Sequence, residues 1–215
     1  MATAPPPPTK LTQQQVNILY EILDRFDRAC TAAGTQYVLN GGTALGAIRH
    51  KGLIPWDDDG DVFMFAPQFY NKSMELFTCA TRLGLRIQPF LHGNGVESTA
   101  WFKIYLGDIN IPNVDIFVLE HDSGTNHWIN ADPQARAYFP NDYLTSDQAI
   151  NFYRAEFGPL RLMMFHNHIP YFNRNYGNDW AHVAWDGYDH VKDEWKPTRS
   201  NARSVGDYRP ALPTI

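Results

Sequence analysis

The sequence predicts an α+β fold, and three observations carry that reading. A long amphipathic helix opens the ordered part of the chain, a strand–glycine turn–helix unit follows over residues 37–50, and apolar strands with a hairpin signal occupy the middle. The 215 residues are 44% hydrophobic and 14% aromatic, enough to fill one core. Residues 1–10 are therefore read as a proline-rich disordered lead-in, 11–190 as a single domain and 191–215 as a C-terminal arm.

Each element has its own signal. Thr12 and Gln15 form a capping box, and Leu11 with Val16 occupies the positions of a hydrophobic staple, so the first helix begins here. Val16, Leu19, Tyr20, Leu23, Phe26 and Cys30 recur at helical spacing and give it one buried face, until Gly34 ends it. Tyr37, Val38 and Leu39 form a short strand that runs into Gly41-Gly42, and residues 43–50 form a short helix with Ala44, Leu45 and Ile48 inward. After a loop broken by Gly52 and Pro55, residues 59–65 resume as an apolar strand, and Pro67 opens a helix over 68–83. Residues 85–91 and 99–106 read as strands separated by the hairpin signal His92-Gly93-Asn94-Gly95, with a further strand over 114–120. Residues 121–151 are polar and turn-rich and show no assignable element. Residues 157–169 predict another strand pair, 171–185 a helix with a turn at Gly177, and 192–215 an extended arm on the body or a disordered stretch.

Composition narrows the function. A formal charge of −5 and a pI near 5.9 leave no electrostatic footprint for a nucleic-acid backbone. Cys30 and Cys79 are too few for a disulfide framework or a cysteine-built zinc site and read as small buried hydrophobes. Neither a leader pattern nor a run of ~20 apolar residues is visible, so a cytoplasmic protein without a membrane span is expected.

The chemistry concentrates in Asp57-Asp58-Asp59-Gly60-Asp61, at the mouth of a strand. Like charges this close raise one another's pKa, so a fixed cluster calls for a cation or a basic partner. Alternation along a strand puts Asp59 and Asp61 on one face. Paired carboxylates suit magnesium, or manganese in its place, and Asp115, a single acid within Asn113-Val114-Asp115-Ile116-Phe117, is the candidate third ligand. Taken alone, the run fits an acidic surface turn about as well. Calcium fits less well, because Gln68 stands where an EF-hand loop needs its glutamate and a strand follows instead of a helix.

Gly41-Gly42-Thr43 ahead of a helix lets backbone amides approach a phosphate, although a lone Gly-Gly is more often a tight turn. Arg49 suits bidentate contact with phosphate oxygens or a surface salt bridge. Lys103, within an apolar strand, either faces the same site or snorkels at a sheet edge. His166 and His168 would share a strand face, but no third ligand of clear spacing supports zinc. Trp56, Trp180 and Trp185 suit stacking on a base or sugar, packing being the commoner use.

Together, residues 39–50 (LNGGTALGAIRH), then Gly52, Ile54-Pro55-Trp56-Asp57-Asp58-Asp59 and Asp61, closely resemble the signature of the LicD/fukutin family. Asp115-Ile116-Phe117 looks like its second acidic motif, and Tyr176-Gly177-Asn178-Asp179-Trp180 resembles its element near the C-terminal end. The resemblance spans residues 37–180 and leaves 121–156 unmatched. It implies a polymerase-β-like nucleotidyltransferase fold, a mixed β-sheet flanked by helices. It further implies transfer of a phospho-alcohol such as phosphocholine or ribitol phosphate from a CDP-linked donor to a glycan or other hydroxyl, with release of CMP. By the same carry-over Asp59, Asp61 and Asp115 hold metal with Asp57 in support, and Gly41, Gly42, Thr43, Arg49 and Lys103 lie by the donor. Asp179 and Trp180 read as structural. Gly60 departs from the pattern, standing where an apolar residue is usual, and a glycine there is expected to loosen the strand. Two other functions share these elements: a nucleotidyltransferase moving a nucleoside monophosphate from an NTP to a small hydroxyl compound, and a catalytically silent binding protein.

Overall fold

The computed structural model describes residues 11–184, 188–189, 194–195, 203–205 and 208–214; the lead-in of residues 1–10, Trp185 and most of 192–207 lie outside them. Helix α1 (Gln13–Ala33) starts on the anticipated capping box, in which the Thr12 hydroxyl accepts from the Gln15 amide and the Gln15 side chain accepts from the Thr12 amide. Gly34, at φ 67°, closes it in the left-handed conformation that glycine adopts without a Cβ penalty. The chain continues as β1 (Tyr37–Leu39), α2 (Gly41–Arg49), β2 (Gly60–Phe65), α3 (Ala66–Arg82), β3 (Leu85–Leu91), β4 (Glu97–Leu106) and β5 (Ile109–Asp122).

These strands build one mixed sheet in the order β1-β2-β5-β4-β3. Only β2 and β5 run parallel in it; the neighbouring pairs are antiparallel. Helices α1 and α3 pack on each other and against β5, which covers the middle of the sheet. Val62, Phe63, Met64, Ile116 and Val118 are accordingly fully buried on both faces of β2 and β5, as strands sandwiched between layers require.

The segment that the sequence left unassigned is structured. It carries β6 (His127–Asn130), which pairs with the end of β5, a short helix α4 (Pro133–Tyr138) and β7 (Leu144–Thr145). These elements are short and polar, and only docking on the sheet stabilises them, so no periodicity announces them. The expected strand pair over 157–169 lies earlier, as the hairpin β8 (Phe152–Phe157) and β9 (Leu160–Phe165), turning at Gly158 with φ 57°. The next helix, α5 (His168–Tyr176), stops at Gly177 instead of turning there and continuing to 185. Cys30 is buried, Cys79 half-buried, and both are free thiols.

Residues 208–214 lie on the body. The Ala211 amide donates to the Leu53 carbonyl at 2.9 Å, the Ala211 carbonyl accepts from the Tyr20 hydroxyl at 3.0 Å, and the Leu212 carbonyl accepts from Gln13 at 2.9 Å. Among the described residues no helix is long and apolar enough to cross a membrane.

Candidate metal centre

The strand register assembles the acidic residues. In the parallel pairing of β2 with β5, Asp61 is the partner of Asp115; in the antiparallel pairing of β5 with β4, Asp115 is the partner of Lys103. Two carboxylates and an ammonium therefore stand in one row across three strands. Asp59 stands in the bend just before β2, two residues ahead of Asp61. Carboxylate oxygens of Asp59, Asp61 and Asp115 all lie within 4.8 Å of one another, a grouping that could hold a metal ion.

Gly60 does not loosen this arrangement. It is the first residue of β2, in regular register with Val114. A Cβ placed on it would stand 3.0 Å from Val114 Cγ2, so the neighbouring strand already fills the space that a side chain would take.

The row is short of positive charge. Lys103 Nζ lies 2.9 Å from the Asp115 carboxylate, and the Trp101 indole donates to the same group at 3.3 Å. Burial works against the Lys103 charge, but the adjoining Asp115 carboxylate outweighs it and raises the ammonium pKa. Asp115 is nevertheless raised too: burial is the larger effect, and Asp59 adds to it against the help of Lys103. The two directions disagree for a simple ion pair because burial and the neighbouring Asp59 act on Asp115 beyond what Lys103 offsets. Asp61, pushed well up by burial and then by Asp59, Asp115, Asp57 and Asp142, shows the same excess. A divalent cation with oxygen preference fits this donor set, since it would offset the repulsion among these carboxylates.

The glycine turn lies directly against these acids. Gly41 has φ 52°, and a Cβ there would come within 2.7 Å of Asp61 Oδ2; a Cβ on Gly42 would overlap the Asp57 carboxylate. The glycines thus admit two carboxylates to the head of α2, where the helix dipole favours negative charge. Thr43 is buried, and its hydroxyl accepts from the Asp61 amide at 2.8 Å, while the Asp61 carbonyl accepts from the Asn40 amide at 3.0 Å. Both peptide groups of Asp61 are therefore held by the β1–α2 turn.

Other residues singled out in the sequence lie around or away from this centre. Arg49 donates to the carbonyls of Trp180 and Val183 at 2.8 and 3.2 Å, tying α2 to the segment after α5. Lys103 lies inside the sheet, β4 being flanked by β3 and β5, so it does not snorkel at an edge. His168 begins α5 and His166 stacks on Tyr153, so the two histidines do not share a strand face. Trp56 packs edge-to-face with His50, and Trp180 packs on Phe172 with ring centroids 4.9 Å apart, both in the commoner structural use.

Sequence reasoning missed a polar group behind the turn: Asn40, Asp142, Tyr171 and Arg174. The Gly41 amide donates to Asn40 Oδ1 at 2.6 Å and to the Tyr171 hydroxyl at 3.1 Å, and Asn40 Nδ2 donates to Asp142 Oδ2 at 2.9 Å. Tyr176 also faces the centre, its hydroxyl pushed well up by burial and then by Asp142, Asp57 and Asp61. Asp142 lies in the segment without a motif, and the tyrosines looked like core; only a helix returning over the turn brings them in.

The model of a known family, described as LicD/FKTN/FKRP, nucleotidyltransferase domain, matches residues 34–169, well over half of the chain. The chain belongs to the LicD/FKTN/FKRP family. Among curated LicD-family relatives, the lipopolysaccharide cholinephosphotransferase LicD of Haemophilus influenzae is 49% identical over 61 residues, 28% of this chain and 23% of that protein. Human ribitol 5-phosphate transferase FKRP is 27% identical over 120 residues, 53% of this chain and 23% of that protein. An uncharacterized Rickettsia typhi protein is 25% identical over 182 residues, 83% of this chain and 50% of its own. The chain thus spans half or less of the length of these relatives. A solved lincosamide antibiotic adenylyltransferase, LnuA with lincomycin bound, aligns with TM-score 0.39 and 16% identity over 73% of this chain and 82% of that one. The LicD-family match contains β1, the glycine turn, β2, β5 and thus the whole acidic triad.

Proposed function

We propose that this chain is a metal-dependent transferase that moves a phospho-alcohol of the phosphocholine or ribitol-phosphate type from a CDP-linked donor to a glycan or other hydroxyl. The observation that carries the reading is the trio of carboxylates, Asp59, Asp61 and Asp115, within 4.8 Å of one another beside the head of α2. Membership of a family that includes a cholinephosphotransferase and a ribitol 5-phosphate transferase supports the choice of donor class.

In this reading Asp59, Asp61 and Asp115 hold magnesium, which manganese can replace, and Asp57 supports them from beside Gly42. When bound, the ion supplies neutralisation of the donor diphosphate. The acceptor oxygen attacks the phosphorus that carries the alcohol, the bond from that phosphorus to the bridging oxygen breaks, and CMP leaves. Positioning and electrostatics dominate such a transfer. The acceptor proton passes to a carboxylate, and Asp115, beside Lys103 in the row, is the candidate. Lys103 holds Asp115 in the row and adds positive charge on the donor side. Gly41, Gly42 and Thr43 keep the turn close to the acids, and Arg49 holds the segment after α5 alongside.

Phosphorus NMR of the purified chain with magnesium, a panel of sugars and CDP-choline, CDP-ribitol or CTP tests this. CMP release that requires both metal and Asp61, lost in Asp61→Ala, is the expected result. Release of pyrophosphate from CTP would point to nucleotidyl transfer instead. No metal-dependent turnover of any donor, with donor binding unchanged in Asp61→Ala, would overturn the transferase reading.

A further inference from the structure

The glycine turn is held from behind by the side chains of Asn40, Asp142 and Tyr171. Asn40 is 1% exposed and Tyr171 fully buried. Tyr171 Oη sits 2.5 Å from Asn40 Oδ1 and also hydrogen-bonds Asp142 Oδ1. Arg174 donates to the carbonyls on either side of Asp142, to Asn141 at 2.8 Å and Tyr143 at 2.6 Å, and lies 3.6 Å over the Tyr143 ring. The loop that bears Asp142 is therefore clamped onto α5. Asn130 Nδ2 donates to the Asp142 carbonyl at 3.1 Å, fixing it to β6 as well.

Counting hydrogens sharpens the picture. Three oxygens, Asp142 Oδ1, Tyr171 Oη and Asn40 Oδ1, make two close contacts, and the phenol carries one hydrogen. A second hydrogen, on Asp142, completes the chain: the acid donates to Tyr171, and Tyr171 donates to Asn40. Asn40 then accepts from the Gly41 amide as well, and its own amide group and peptide N–H reach Asp142 Oδ2 and the Asp61 carbonyl.

We propose that Asn40, Asp142 and Tyr171 are positioning residues of the metal centre, a carboxyl–phenol–amide chain that presses Gly41 against the Asp61 carboxylate. This rests on the metal-dependent reading above. Burial, opposed by the hydrogen bonds from Tyr171 and Asn40, pushes the Asp142 carboxyl up to about 6, so the proton that completes the chain is held below that pH. Without the chain, nothing on the α5 side fixes Gly41 in its left-handed conformation, and the gap that receives Asp61 is free to open.

The probe is Mn2+ alone, its affinity and stoichiometry read by electron paramagnetic resonance on the full chain, without donor. Tyr171→Phe removes one oxygen and little packing, and Asp142→Ala removes the carboxyl; each is expected to weaken Mn2+ binding about tenfold at unchanged stoichiometry. Asp142→Asn should restore affinity to within about threefold of wild type, because its amide can donate to Tyr171 as the acid does and accept from Asn40. A purely structural defect would lower the bound stoichiometry without changing the dissociation constant and without this rescue. Wild-type binding with unchanged affinity in Tyr171→Phe and Asp142→Ala overturns the positioning role alone. A wild-type chain that binds no Mn2+ overturns the metal reading and this role with it.

Discussion

Asp61 and Asp115 face each other in the parallel register of β2 and β5, each the direct partner of the other. Like charges opposite one another weaken a sheet, and burial adds to the cost. Burial and mutual repulsion of these carboxylates thus destabilise the metal-free state of the site.

Mg2+ or Mn2+ should accordingly raise the melting temperature of the wild-type chain, by roughly 5–10 °C at a hundredfold excess over the dissociation constant. Asp61→Asn removes an acid of the row that burial and its acidic neighbours push up. Differential scanning calorimetry should show a higher metal-free midpoint for this variant and no shift on adding metal. A midpoint that moves with metal as in wild type would count against Asp61 as a ligand.

Gly42→Ala separates the glycine's two roles. Within a helix alanine is favoured over glycine by up to about 1 kcal/mol. At this position, however, the added methyl group collides with the Asp57 carboxylate. Stability close to wild type, together with weakened metal binding by titration calorimetry, is the expected outcome.

Gly60 and Val114 should be coupled. A methyl group on Gly60 would stand 3.0 Å from Val114 Cγ2, so Gly60→Ala should destabilise by about 1–2 kcal/mol in urea unfolding. In a Val114→Ala background the same change should be close to neutral, giving a coupling of about 1 kcal/mol in the double-mutant cycle. Additive effects would mean that the contact is relieved elsewhere.

Asp142 makes stability depend on pH in a definite direction. Its pKa is 3.8 for the free group and about 6 in the folded chain, so between these values the native state binds more protons than the unfolded one. Its contribution therefore declines as pH rises from 4 to 6 and levels off above, by about 3 kcal/mol at most. Asp142→Asn, which cannot lose a proton, should flatten that part of the pH–stability curve and be relatively more stable at pH 7 than at pH 4. An unchanged slope would place the titration on other groups.

Much of this protein is legible in its sequence. Thr12 and Gln15 mark the start of α1 because a capping box needs only residues three apart, and Gly34 marks its end by the backbone conformation that it permits. The apolar runs of β2 and β5 announce strands buried on both faces, and the aspartates within them stand out because charge there demands a partner. Local pattern thus determined the element types up to residue 120, the glycine turn and the identity of the acidic triad. Tertiary structure alone decided the rest. The pairing of Asp61 with Asp115, and of Asp115 with Lys103, is a matter of register between strands distant in sequence. The close fit of Gly41 to Asp61 and of Gly60 to Val114 depends on which neighbour fills the missing side chain's space. Asn40, Asp142 and Tyr171 become one group only when α5 folds back over the turn, because hydrogen bonds between residues a hundred positions apart leave no periodic trace in the chain.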